Sequence, residues 1–95
     1  MKRTKIEIII PSAYLHRLIQ TFEELAITGY SVLEISKGKG AKEGETYASG
    51  AIAGIQNMLV FTICTQEERE RLVQKIAHPI KSLGGLIIEY EVQLC

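Results

Sequence analysis

Cysteine is scarce in this sequence, which has only Cys64 and Cys95. Two thiols make neither a disulfide framework nor a zinc set, and such sparing use points to a cytosolic home. Long apolar runs are missing too. Stretches such as Ile8–Pro11 and Met58–Phe61 are strand-sized, far short of the roughly 18 residues of a membrane span. The basic start (Lys2, Arg3, Lys5) meets Glu7 and too short an apolar run to make an ordinary signal peptide. Neither sign of charge is in excess. Eleven Lys+Arg against eleven Asp+Glu leave a formal net charge of zero, which argues against nucleic-acid binding that runs on surplus cations. Catalytic groups are equally thin. His16 and His78 fall on expected helices, and no His-Cys, His-Asp or carboxylate cluster has ligand spacing. The histidines read as exposed or packing residues, Cys64 as a core thiol, and the chain as no enzyme.

What is present suffices for one domain over residues 1–95, since 46% of the chain is hydrophobic. At 10.6 kDa, folding is expected to bury about 64% of the unfolded chain's surface, enough to stand alone only marginally. Oligomer formation would add apolar burial.

The pattern predicts a strand over Lys5–Ile10, ended by Pro11. Ser12 offers a cap to a helix whose apolar stripe is Leu15, Leu18, Ile19, Phe22 and Leu25, closed at Thr28-Gly29. A second strand is expected over Tyr30–Ser36 and a third over Met58–Cys64. Thr65-Gln66-Glu67-Glu68 is a capping box. The helix behind it turns Leu72, Val73, Ile76 and Ala77 inward and ends or kinks at Pro79. Gly84-Gly85 makes a turn into the last strand. There Leu86, Ile88, Tyr90, Val92 and Leu94 share one face, and Ile87, Glu89, Glu91 and Gln93 the other. The order β-α-β-β-α-β gives an α+β, ferredoxin-like fold: a four-stranded antiparallel sheet with two helices on one face. Ile9, Leu33, Ile35 and Ile87 are expected together on the other face, too apolar for open solvent and so a subunit interface.

Such a fold hosts many functions, so the loops carry the information. Residues 37–56 hold five of the eight glycines and four alanines, a long loop of functional length. At its start, Ser36-Lys37-Gly38-Lys39-Gly40-Ala41-Lys42 combines three lysines with glycines that let successive amides curl into an anion cradle. A solvated loop with solubilising lysines accounts for the same composition. In an oligomer this loop of one subunit can meet the Gly84-Gly85 turn of the next. A cleft walled by both is a candidate nucleotide site, with Thr28, Gly29 and Tyr30 along its edge.

Thr28-Gly29-Tyr30-Ser31-Val32, then Lys37-Gly38-Lys39-Gly40, a long loop, a strand and a capped helix resemble the PII signalling proteins. The nearer likeness is to the divergent PII-like branch, with the cyanobacterial bicarbonate-transporter regulator and the carboxysome-associated PII-like proteins. The resemblance implies a homotrimer with adenine nucleotides in three inter-subunit clefts. It also implies a mobile loop over 37–56, the T-loop, that docks on a transporter or enzyme target. By the same resemblance Gly29, Tyr30 and Ser31 line the base and ribose, Gly38, Lys39 and Gly40 form the loop base near the phosphates, and Gly84-Gly85 supplies the second glycine loop.

Two departures matter. Typical PII proteins carry an Arg where this chain has Ala41 and a Lys where it has Leu86. The loss of two phosphate-binding cations favours AMP, ADP or a cyclic adenosine nucleotide over ATP, with no metal. No C-terminal arginine loop follows before Cys95, and Tyr47 is shifted from the tyrosine that some members modify. The rival reading is a CutA-like trimer that binds divalent cations, or a ligand-free interaction module, for which His16, His78 and the two cysteines are the only metal candidates.

Overall fold

A computed structural model describes residues 1–27, 29–36 and 56–95. Thr28 and the stretch 37–55, with its cradle residues Gly38, Lys39 and Gly40, lie outside the described residues. The elements are strand β1 (Lys2–Pro11), a 3-10 turn (Ser12–Tyr14), helix α1 (Leu15–Glu24), strand β2 (Ser31–Glu34), strand β3 (Asn57–Cys64), helix α2 (Gln66–Ser82) and strand β4 (Leu86–Gln93). The strands form one antiparallel sheet in the order β2-β3-β1-β4, with β2 and β4 at its edges. This is the expected ferredoxin-like arrangement.

Alternation along the two central strands builds the core. Ile6, Ile8 and Ile10 of β1 and Met58, Val60 and Cys64 of β3 are buried on the helix side. Leu18 and Phe22 of α1 and Leu72, Ile76 and Ile80 of α2 close over them. The α2 residues recur every four positions, the spacing that puts them on one stripe. Ala77, expected inward, is exposed, and Pro79 does not end the helix. Burial of Ile80 one residue later, and the cap beyond it, hold the last turn despite the backbone bond that proline removes. The N-terminal capping box is present in both directions: the Glu68 N–H donates to Thr65 Oγ1 at 3.2 Å, and the Thr65 N–H to Glu68 Oε1 at 2.9 Å. Arg69 donates to both oxygens of Glu89, at 2.8 to 3.1 Å, and so ties α2 to β4.

Helix α1 departs from expectation at both ends. Ser12 makes no side-chain cap; its N–H donates to the Gln56 carbonyl at 2.7 Å while the chain turns through the 3-10 segment. At the other end the helix stops at Glu24, before Thr28-Gly29. The Ile27 N–H reaches the Phe22 carbonyl and the Ala26 N–H the Glu23 carbonyl, which is the Schellman pattern. Ala26 therefore occupies the left-handed position, with φ 58°, where an L side chain costs about 1–2 kcal/mol. Buried Ile27 and Phe22 supply the apolar contact that goes with this motif and offset the strain. Ala26→Gly is accordingly expected to stabilise the fold by about 0.5–1 kcal/mol in urea unfolding. A loss of stability would contradict that reading.

Strand β2 is shorter than expected. Among the described residues it pairs with β3, and past Glu34 the Ile35 N–H still donates to the Asn57 carbonyl at 3.1 Å. Strand β4 alternates as expected, but Ile87, expected on the helix-free face, is on the other one. Ile87 stands opposite Ile8 and packs on the core, whereas Ile88 stands opposite Glu7 and Leu86 opposite Ile9 on the far face. The helix-free face thus carries Leu33, Ile63, Leu86, Ile88 and Tyr90, each 40–47% exposed, beside half-buried Ile9, Leu59 and Phe61. Ile9 and Leu33 lie there as expected; Ile87 does not.

Candidate functional site

Beyond the end of the β2–β3 ladder, whose first pair is Ser31 with Phe61, the two chains part and leave an open cavity of about 330 Å³. It is lined by Gly29, Tyr30 and Ser31 on one side and Phe61, Thr62 and Ile63 on the other. The three residues on the first side, singled out from the sequence, are consecutive in the chain. Tyr30 turns to the helix side, where its ring packs on Phe22 with centroids 5.3 Å apart. Among the described residues, nothing lies within 4 Å of the position a Cβ on Gly29 would take. The cavity's volume is at the low end of the roughly 300–1,000 Å³ typical of ligand pockets.

Gly84 and Gly85 are elsewhere, before β4 on the opposite edge of the sheet. Within one chain they do not join the cavity. Their identities have a structural origin. Gly84 holds the left-handed position of the α2 cap, with φ 77°, and the N–H groups of Gly84 and Gly85 bond the Lys81 and Ile80 carbonyls. A Cβ on Gly85 would lie 2.6 Å from the Ile9 carbonyl oxygen and 2.9 Å from Ile80 Cγ2. Leu86, where a phosphate-binding lysine is looked for, is exposed on the helix-free face.

Thr62, which lines the same cavity, was not singled out from the sequence. It is 1% exposed and the one buried polar side chain among the described residues, and its hydroxyl donates to the Gly29 carbonyl. A signal was available: a threonine at an inward position of β3, between Val60 and Cys64, asks for a buried hydrogen-bond partner.

Two charged groups near the middle of the helix-free face pair with each other, while Arg3, opposite Val92, adds a third charge at the start of β1. Lys5 Nζ lies 3.3 Å from Glu7 Oε2 and 4.4 Å from the centroid of the Phe61 ring. The Tyr90 hydroxyl donates to the same Glu7 oxygen at 2.9 Å. Tyr90 foremost, and Glu7 after it, raise the Lys5 ammonium above its ordinary pKa.

His16 and His78 are exposed. Among the described residues no group of three or more His, Cys, Asp or Glu side chains converges as a metal site would, and no helix is long and apolar enough to cross a membrane. Cys64 is buried, with its Sγ 3.6 Å from the Thr4 carbonyl that it bonds. Burial, and secondarily Glu68 and Glu89, push its thiol up, so it stays protonated and unreactive. Cys95 is exposed. A thiol reagent on the native protein should therefore modify one cysteine quickly and the second only on unfolding. Since the raised pKa belongs to the folded state, the Cys64 contribution to stability is complete below the unfolded thiol value, about 8.5. It is lost as the pH rises past that value. Rapid double modification at neutral pH would contradict this placement.

The sequence matches the family described as nitrogen regulatory protein P-II over residues 3–93. No curated protein matches. Among solved structures, CPII, a nitrogen regulatory PII-like protein from Thiomonas intermedia K12 bound to ADP, AMP and bicarbonate, superposes with a TM-score of 0.83. It has 16% identity over 99% of this chain and 89% of that one. A PII-like signaling protein from Thermus thermophilus gives 0.74 at 20% identity, covering 99% and 89%. The GlnK–ATP complex of B. subtilis gives 0.67 at 14%, covering 96% and 82%. At these identities the likeness is one of fold, and its closeness over nearly the whole chain agrees with the sequence match. The chain belongs to the nitrogen regulatory protein P-II family.

Proposed function

We propose that this protein is a non-enzymatic cytoplasmic regulator that binds an adenine nucleotide in clefts between the subunits of a homotrimer and signals through segment 37–56 to a target, a transporter or an enzyme. The observation that carries the reading is the cavity at the β2–β3 end. It brings Gly29, Tyr30 and Ser31 to one opening, and it belongs to a fold whose CPII relative is described as bound to ADP and AMP. One chain supplies only part of a cleft, because Gly84-Gly85 lies on the far edge of its sheet. A second copy that brings its own Gly84-Gly85 turn to this cavity would complete the enclosure. The helix-free face supports such an assembly, since most of it is apolar and Lys5 and Glu7 at its middle are already paired.

In this reading Gly29, Tyr30 and Ser31 hold the base and ribose, while Gly38, Lys39 and Gly40 of the neighbouring segment hold the phosphates. With Ala41 and Leu86 where two cations are looked for, AMP or ADP fits better than ATP and its metal. A ligand that favours one arrangement of segment 37–56 shifts its population by no more than the difference in affinity between arrangements.

Isothermal titration with AMP, ADP and ATP, and separately with divalent cations, tests the reading. Binding of AMP or ADP more tightly than ATP, with no heat from the cations alone, is expected. Heat from a divalent cation with none from any adenylate would instead favour a cation-binding trimer.

A further inference from the structure

We infer that Thr62 is a positioning residue of the adenylate cleft: by donating to the Gly29 carbonyl, its buried hydroxyl fixes the backbone that forms one wall. The inference rests on the nucleotide reading above and goes beyond it in assigning the cleft's shape to a residue in the core.

Thr62 occupies an inward position of β3, where the pattern of Val60 and Cys64 calls for an apolar side chain. A hydroxyl buried there is costly unless it is bonded, and the acceptor it finds is 33 residues away in sequence, at Gly29. That acceptor lies ahead of the paired part of β2, whose ladder starts at Ser31. The side chain thus does what a ladder bond does further along the strand. Gly29 needs such a tether more than another residue would, because glycine restrains its own backbone least and none of the described residues crowds its Cβ position. Both partners line the same cavity, so the bond joins its two walls. A wall fixed before the ligand arrives spares the ordering cost that binding otherwise carries.

Thr62→Val keeps the shape and removes the donor. Thr62→Ser keeps the donor. Val60→Ala, one inward position earlier on the same strand, loosens the core without touching the cavity lining. Titration of each with AMP and ADP, at a temperature where circular dichroism shows all four proteins folded, separates the possibilities. Thr62→Val is expected to lose affinity about tenfold, Thr62→Ser to stay near the parent protein, and Val60→Ala to bind as the parent does. Parent-like binding by Thr62→Val would overturn the assignment, as would an equal loss in Val60→Ala, which would mean general softening. If the parent protein binds neither nucleotide, the reading of the cleft itself fails, and this inference with it.

Discussion

Gly85→Ala is expected to destabilise the fold by about 3 kcal/mol or more, on the scale of a severe overpacking substitution. The added methyl would sit 2.6 Å from the Ile9 carbonyl oxygen. That atom belongs to a central strand paired on both sides, so it cannot move away without disturbing the ladder between β1 and β4. Ile80 Cγ2, at 2.9 Å, belongs to a fully buried side chain with little room of its own. Gly84→Ala meets no such contact. Its cost comes from φ 77° alone and should be about 1–2 kcal/mol. Urea unfolding of the two variants gives the comparison. Equal effects would mean that the turn, and not the approach to Ile9, fixes the glycine at position 85.

Leu33→Glu should leave the single chain folded and abolish its assembly. Leu33 is 47% exposed on edge strand β2 and faces away from both helices, opposite Leu59. In one chain a carboxylate there remains in water, and the stability change should be under about 0.5 kcal/mol. In an assembly that covers the face, the same carboxylate is desolvated among apolar side chains, at a cost of several kcal/mol for each copy. Light scattering at micromolar concentration, paired with circular dichroism, reads the two effects apart. A variant that keeps the parent mass would show that assembly does not use this face.

The elements were legible where local chemistry is strong. The capping box at Thr65, the stripe Leu72–Ile76 and the inward residues of β1 and β3 each follow from spacing that one physical rule explains. The misreadings fall where two residues of like chemistry compete. In strand β4 the alternation is visible, but Ile87 interrupts the polar row of Glu89, Glu91 and Gln93, and the sequence does not say which row faces the helices. Pairing of Ile87 with Ile8 decides it, and that pairing is set by tertiary register. At the end of α1 a glycine drew the turn to Gly29, whereas the left-handed residue is Ala26, three positions earlier. Local propensity lost there to the burial of Ile27 and Phe22. In α2, Pro79 signals a stop that the packing of Ile80 overrides.

The candidate site shows the same division. Gly29, Tyr30 and Ser31, consecutive in the chain, line one side of a cavity. Thr62 escaped notice because a threonine in an apolar run reads as an ordinary strand former. Its importance lies in the partner at Gly29, a contact no local pattern reveals. Gly84 and Gly85 illustrate the converse. Their sequence reads as a ligand loop, yet the helix cap and the close approach to Ile9 already require both glycines. Any nucleotide contact they make would be added to that structural duty.

Native mass spectrometry of the purified protein with ADP addresses the central claim most directly, because one spectrum reports subunit number and bound ligand together. The account predicts a species of three chains carrying up to three ADP molecules. A spectrum of single chains without nucleotide, at micromolar protein and ADP in excess, would contradict it.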